Sequence, residues 1–153
     1  MHVHTLVRRQ RLERPPEDVF PFFADALNLE LITPPWLGFR VLTPPPIAMG
    51  AGTRIDYRLT LHRVRLRWHT EIVLWTPARR FVDVQRSGPF ALWHHTHSFT
   101  PSGAETVMHD VVRYALPLGP VGALAHAALL RHDLERIFDF RERAVARLIE
   151  RGA

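Results

Sequence analysis

The segment Trp93-His94-His95-Thr96-His97-Ser98-Phe99 carries His95 and His97 one residue apart, and alternate residues of an extended chain point the same way. Asp83, in Phe81-Val82-Asp83-Val84-Gln85, and Asp110, in His109-Asp110-Val111, stand in neighbouring segments of similar alternation. A carboxylate on one ring nitrogen orients an imidazole and raises its basicity, leaving the other nitrogen for a substrate proton. His95 with Asp83 and Asp110 is therefore the candidate catalytic constellation, a general acid/base. The same residues also fit a hydrogen-bonded network that fixes a sheet interior, and the residues alone favour that account. Ligation of a metal by His95, His97 and a carboxylate has suitable residue types. The aromatic neighbours count against it, and neither a metal nor a cofactor is expected.

Positioning these groups takes a sheet. Thr53 to Leu61 alternates strictly, with Ile55, Tyr57, Leu59 and Leu61 on one face and Arg54, Asp56, Arg58 and Thr60 on the other. Val64 to Leu74 repeats the pattern, and Pro77-Ala78, Gly88-Pro89 and Pro101-Ser102-Gly103 punctuate the segments that follow, down to a last strand over Glu105 to Ala115. Val3 to Leu12 is strand-like as well. Five consecutive strands on short turns predict an antiparallel meander. A two-residue turn at His62-Arg63 sets Tyr57 opposite Trp68, Ile55 opposite Thr70 and Arg58 opposite Arg67. Symmetry about Pro77-Ala78 sets Ile72 against Asp83 and Thr70 against Gln85. A turn at Gly88-Pro89-Phe90 brings Asp83 beside His95 and Gln85 beside Trp93. A four-residue loop over Pro101 to Ala104 then brings His95 beside Asp110, His97 beside Met108 and Trp93 beside Val112.

The inner face so derived mixes Asp83, Gln85, His95, His97 and Asp110 with aromatic and aliphatic side chains. In a packed core each such group needs a partner or costs about 1–3 kcal/mol, whereas a ligand pocket accepts it. The candidate ligand-binding residues on the sheet are Tyr57, Trp68, Thr70, Ile72, Gln85 and Trp93, followed by His97, Met108, Val112 and Tyr114. Pro15-Pro16-Glu17-Asp18 opens a first helix, and a second spans about Ala24 to Leu31. Val121 to Arg151 is helical in pattern. Leu130, Leu134, Ile137, Arg141, Val145 and Leu148 recur at three- and four-residue steps, and Arg141 is the one charged member of that stripe. Leu124, Ala127 and Ala128 extend the stripe, and Gly152 follows the helix. So long a helix needs a broad apolar surface, which the meander's inner face supplies, and Leu134 and Phe138 then close the cavity from above. Trp36, with Phe39 and the loop of Pro44 to Pro46, either rims the mouth or, in the case of Trp36, packs in the core.

The 153 residues, 46% of them apolar, suit one domain over 1–153. No apolar run approaches the ~20 residues of a membrane span, so a transmembrane chain is not expected. Without cysteine there is no disulfide framework or thiolate chemistry. Met1-His2-Val3-His4 lacks the basic start of a secretory signal, which makes the cytoplasm the expected location. The net charge of +5 and pI near 11.1 arise from twenty basic residues that are all arginine. They are scattered, and no aromatic residue is interleaved with those of the outer sheet face to stack bases, so nucleic acid is not an expected partner. An anionic partner on that face stays an open alternative, as does a homodimer.

A strand, two short helices, a curved sheet and a long C-terminal helix, in that order, resemble the START/Bet v 1-like superfamily, also called SRPBCC, over the whole chain. Local text is similar to its bacterial polyketide cyclase/dehydrase and ligand-binding branches: Pro16-Glu17-Asp18-Val19-Phe20, Asn28-Leu29, Thr33-Pro34-Pro35-Trp36 and Gly50-Ala51-Gly52-Thr53. The resemblance implies an α+β helix-grip fold and a cavity for hydrophobic molecules such as lipids, polyketides or quinones. Members are carriers, chaperone regulators or enzymes. The expected function is binding of a hydrophobic or aromatic small molecule between sheet and helix. One alternative is an aromatase/cyclase-type enzyme using His95 with an aspartate partner. Another is a ligand sensor that docks a partner through its basic sheet face.

Overall fold

The computed structural model describes residues 2–117 and 120–151. Its strands are β1 (His4–Leu12), β2 (Arg40–Val41), β3 (Arg54–Leu61), β4 (Val64–Thr76), β5 (Arg80–Ser87), β6 (Leu92–Ser102) and β7 (Glu105–Ala115). They form one sheet in the order β1-β7-β6-β5-β4-β3-β2, antiparallel at every junction. The helices are α1 (Pro16–Phe23), α2 (Leu29–Ile32) and α3 (Pro120–Arg151), the last lying across the sheet's inner face. The α+β helix-grip architecture is thus the observed one. Gly152, and the side chain of Leu124, lie outside the described residues.

The expected second helix is split in two. Asp25 accepts from the Leu27 N–H at 3.0 Å, starting a single 3-10 turn over Ala26–Asn28, and Asn28 Nδ2 donates back to the Phe22 carbonyl at 2.8 Å. These side-chain bonds compete with a continuous helix and turn the chain into α2. The two-residue β2 was not foreseen either. It extends the sheet beside β3, pairing Arg40 with Arg58 and Val41 with Tyr57.

The β3–β4 hairpin has the expected pairs, Tyr57 with Trp68 and Ile55 with Thr70. Its turn residues His62 and Arg63 both take positive φ, 49° and 66°, as a two-residue turn that matches strand twist requires. Between β4 and β5 the pairs Ile72–Asp83 and Thr70–Gln85 also stand, but a bulge at Val73 shifts the turn end by one residue. Beyond the bulge Trp75 faces inward onto Phe20 and Phe81, with ring centroids 5.0 and 5.3 Å away.

The β6–β7 register corrects the sequence reading. Pro101 and Ser102 belong to β6, paired with Thr106 and Glu105, so the loop is the two residues Gly103-Ala104 rather than four. Every expected pair is therefore displaced by two: His95 lies opposite Val112, His97 opposite Asp110, Phe99 opposite Met108 and Trp93 opposite Tyr114. An even slip leaves each side chain on its face, which is why the inner face was assigned correctly.

The helix is fastened unevenly. On the β1 edge, Arg8 Nη1 donates to Asp139 Oδ1 at 2.6 Å, Arg8 Nη2 to the Glu135 carbonyl at 3.1 Å, and Gln10 Nε2 to the Glu142 carbonyl at 2.7 Å. On the opposite side the tip of the β3–β4 hairpin reaches α3 through His62 Nε2 and Asp133 Oδ2, 2.8 Å apart. Under the C-terminal half of α3, Ala144, Val145 and Ile149 pack with Leu12, Val19, Phe20, Phe23 and Phe99 into a sealed core.

Candidate functional site

Alternation along β6 buries Trp93, His95, His97 and Phe99, and leaves His95 and His97 only 5% and 3% exposed. β5 contributes Asp83, β7 contributes Asp110, and α3 lowers Arg141 onto them. His95 Nε2 lies 2.8 Å from Asp110 Oδ1, and His97 Nε2 lies 2.6 Å from Asp83 Oδ2. His97 Nδ1 is 3.4 Å from Asp110 Oδ1, while His95 Nδ1 stands 3.9 Å from Asp83 Oδ2. His95 thus rests on Asp110, and His97 lies between Asp83 and Asp110. The His95–Asp110 contact survives the two-residue slip because side chains two positions apart on facing strands are diagonal neighbours within reach.

Burial and charge divide the two rings. His95 is held down to about 4 by burial, reinforced by the charge of His97, against the pull of Asp110 and Asp83. For His97 burial is again the largest influence and acts downward, but the hydrogen bonds and charges of Asp110 and Asp83 together raise it above the ordinary value. Burial tends to raise both carboxyls. For Asp83 the bond to His97 and the nearby cations overcome it, and for Asp110 the Arg141 charge and the two histidines hold it well below the carboxylate range. Near neutral pH the cluster therefore holds two carboxylates, one guanidinium and a neutral His95, with His97 shifted toward its imidazolium form. The His97 ring is stacked between Phe81, at 3.9 Å between centroids, and His95, at 3.6 Å.

Donor atoms of Asp83, His95 and His97 lie within 4.8 Å of one another, a spacing a metal ion can use. The stacked rings, inclined by only 24°, send their lone pairs into nearly parallel planes instead of toward one point, and Asp83 already occupies Nε2 of His97. As they stand, these groups form an ion-pair network rather than a ligand set.

Above the cluster lies a cavity of about 240 Å³ between the β3–β4 hairpin and the first half of α3. Leu59, Leu61, Leu66, Trp68, Phe90 and Trp93 form the sheet wall, and Leu130, Leu134, Ile137 and Phe138 the helix wall. Asp83, His95, His97 and Arg141 supply its polar end, with Tyr57 and Thr70 beside them. A smaller space of about 40 Å³, toward Phe22, Phe23 and Ile55, shares Tyr57, Thr70, Asp83, His97 and Arg141, so the cluster stands between the two.

Of the residues singled out from sequence, Tyr57, Trp68, Thr70, Trp93, His97, Leu134 and Phe138 line the main cavity with Asp83 and His95. The others lie elsewhere. Ile72 faces the small space alone. Asp110 lies behind the histidines and lines neither space. Gln85 brackets the turn, its Nε2 donating to the Phe90 carbonyl at 2.8 Å and its Oε1 accepting from the Phe90 N–H at 3.0 Å. A Cβ on Gly88 would fall 2.8 Å from that Oε1, which explains the glycine. Met108 is in the sealed core, and Val112 and Tyr114 pack with Leu6, Leu134 and Phe138 where the β1 staples draw the helix onto the sheet. Trp36 is neither buried nor in the cavity lining: it is 52% exposed, with its ring against Phe140 and Arg136 of α3. Sequence reasoning missed Arg141, although its solitary charge on the apolar stripe was the signal. It also missed the leucines of the β3–β4 hairpin as cavity walls, because alternation marks an inner face without saying where the helix stands off it.

Residues 12–140 match the model of the family described as polyketide cyclase / dehydrase and lipid transport. A comparison with curated proteins finds no match. Among solved structures, the Zhui aromatase/cyclase of a Streptomyces species is 20% identical with a TM-score of 0.75, the alignment covering 98% of this chain and 95% of that one. A protein of Chromobacterium violaceum is 17% identical with a TM-score of 0.73, over 95% and 97% of the two chains. A protein of Thermus thermophilus is 22% identical with a TM-score of 0.66, over 93% and 97%. At these identities the likeness is one of fold. No helix among the described residues is long and apolar enough to cross a membrane. With more than half its length under one family model, the chain belongs to the polyketide cyclase / dehydrase and lipid transport family, within the START/Bet v 1-like superfamily whose helix-grip fold it has.

Proposed function

We propose that this protein binds a small hydrophobic or aromatic molecule in the cavity between the β3–β4 hairpin and α3, with the ligand's polar end toward Asp83, His97 and Arg141. The observation that carries this reading is the composition of the space: an apolar chamber of about 240 Å³ with a compact ionic cluster at one end. Its volume is near the lower limit of small-molecule sites, which suits a ligand of about two fused rings or a short chain. Burying aromatic surface against Trp68 and Trp93 contributes roughly 25 cal/mol per Å² removed from water.

The acid–base reading of the same residues fares less well. A general base works best with a pKa near the working pH, and His95, held down to about 4, is a weak base. A carrier role uses the cluster as a fixed polar anchor and asks no proton of it.

The test is titration of the folded protein with 1-aminoanthracene, a neutral fluorophore. Near one equivalent should bind and quench tryptophan emission by energy transfer. Trp93→Ala should weaken binding more than Trp36→Ala, since Trp36 lies outside the cavity. Dye uptake by the heat-denatured chain alone would mean that side chains fill the space, and the reading would be abandoned.

A further inference from the structure

We propose that Arg141 and Tyr57 form a pair of hydrogen-bond donors that selects a ligand bearing a neutral, carbonyl-type oxygen. This rests on the cavity reading above and names the chemistry the cavity selects. Arg141 is 12% exposed, and its guanidinium lies 5.6 Å from the Phe23 ring centroid and 5.9 Å from that of Phe138. A guanidinium has five N–H donors and no acceptor. Here Nη2 is 3.8 Å from Asp110 Oδ1, beyond hydrogen-bond length, and 3.4 Å from His97 Nδ1. That nitrogen accepts only from a neutral ring, and between two carboxylates His97 favours the imidazolium, which has no lone pair to offer. The rest of the fork makes no hydrogen bond among the described residues, and Arg141 lines both spaces, so these donors are open to a ligand.

Tyr57 supplies the second donor from β3. Its side chain lines both spaces, and its hydroxyl takes part in no side-chain hydrogen bond among the described residues. Burial, then the charge of Asp83, holds this phenol far above its ordinary range, so it keeps its proton at any working pH. Arg141 lines the same two spaces as Tyr57, which sets the two donors in one neighbourhood.

Charge balance decides what kind of acceptor they suit. Asp83 and Asp110 carry two negative charges, Arg141 one positive charge, and His95 favours its neutral form. Even a protonated His97 brings the cluster no further than balance. A carboxylate would add an unmatched charge next to walls of leucine and tryptophan, and desolvating it costs more than the new hydrogen bonds return. A ketone, quinone or ester oxygen brings an acceptor and no charge.

The experiment compares 2-acetylnaphthalene, 2-ethylnaphthalene and 2-naphthoate, matched in shape, by displacement of 1-aminoanthracene from the full chain. The ketone should bind about tenfold or more tightly than the hydrocarbon, the scale of hydrogen bonds to a charged donor, and 2-naphthoate more weakly than the ketone. Arg141→Met should bring the ketone to within about threefold of the hydrocarbon, and Tyr57→Phe should remove part of the preference. Equal binding of ketone and hydrocarbon to the wild-type chain overturns the inference and leaves the cavity reading standing, and so does a naphthoate that outbinds the ketone. If none of the three binds, both readings fall. The wild-type comparison needs no variant, so a misfolded Arg141→Met cannot shield the inference.

Discussion

Along its C-terminal half α3 presses Ala144, Val145 and Ile149 into a core closed by Leu12, Phe20, Phe23 and Phe99; along its N-terminal half the same helix faces Leu59, Leu61 and Leu66 across open space. Both halves use one sheet face and one apolar stripe. What differs is the fastening and the filler. Arg8 and Gln10 draw the helix onto the β1 edge, and α1 wedges two phenylalanines beneath it. The β3–β4 hairpin touches α3 through His62 and Asp133 at its tip and has no α1 beneath it. The sheet curves away faster than the leucines can fill, and the ionic cluster sits at the boundary. In this fold a binding cavity is the part of the core that its staples leave unclosed.

The strongest way to break that contrast is to delete volume on each side. Phe99→Ala, in the sealed half, should cost about 3–5 kcal/mol, because its neighbours cannot collapse into the gap. Leu66→Ala borders space that already exists and should cost less than about 1 kcal/mol, since it removes few contacts and opens no new void. Denaturant unfolding of both variants measures the difference. Comparable losses would mean that the open half is packed as tightly as the closed one.

The boundary cluster offers the next largest effect, read as pH dependence. His95 has a folded pKa of about 4, against an unfolded value near 6.5. As pH falls through this interval the unfolded chain takes up a proton that the folded site refuses, so His95 lowers stability by up to about 3 kcal/mol. His97 acts in reverse: its folded pKa is raised, so its contribution is complete below about 6.5 and is lost as pH rises through the folded value. Asp83 and Asp110, both depressed, contribute above about 4 and lose that contribution as pH falls through their folded values. His95→Gln keeps a neutral polar group opposite Asp110 and should flatten the loss of stability between pH 6.5 and 4. His97→Gln should act on the other side, removing the loss of stability that sets in as pH rises above about 6.5. An unchanged slope in His95→Gln would show that the ring is solvated and the boundary wet.

Local rules reached most of the sheet and stopped short of the cavity. Strict alternation over Thr53 to Leu61 and the two-residue turn at His62-Arg63 left one register for β3–β4, and it is the one found. At Pro101 to Ala104 the same reasoning slipped by two, because proline and serine read as loop while the backbone keeps them in β6 and turns at Gly103, with φ at 61°. Side-chain facing survived, and with it the grouping of His95, His97, Asp83 and Asp110. Their pairing survived in part: His95 meets Asp110 as expected, while Asp83 serves His97 instead of His95. That choice depends on ring stacking against Phe81 and on Arg141 arriving from a helix far along the chain, neither of which alternation encodes. Met108, Val112 and Tyr114 were given to the ligand for a related reason, since sequence marks an inner face but not where long-range staples bring the helix down upon it.

The smallest effect lies on the outer face, where interior and exterior can be separated. Arg40, Arg58 and Arg67 stand in line across β2, β3 and β4, and Arg58 and Arg67 are both exposed and directly paired. Facing like charges on a sheet cost a few tenths to about 1 kcal/mol, and an exposed surface in salt reduces even that. The double variant Arg58→Gln, Arg67→Gln should therefore raise stability by about 0.5 kcal/mol at low ionic strength, with the gain fading as salt is added. Its affinity for 1-aminoanthracene should match that of the wild type, because these side chains point away from the cavity that Tyr57 and Trp68 line on the opposite face. A gain that ignores salt would trace to strand propensity instead of charge. A variant that keeps the dye but loses adhesion to vesicles containing phosphatidylserine would assign the arginines to an anionic surface, and the basic face would then be a docking site tolerated at some expense in stability.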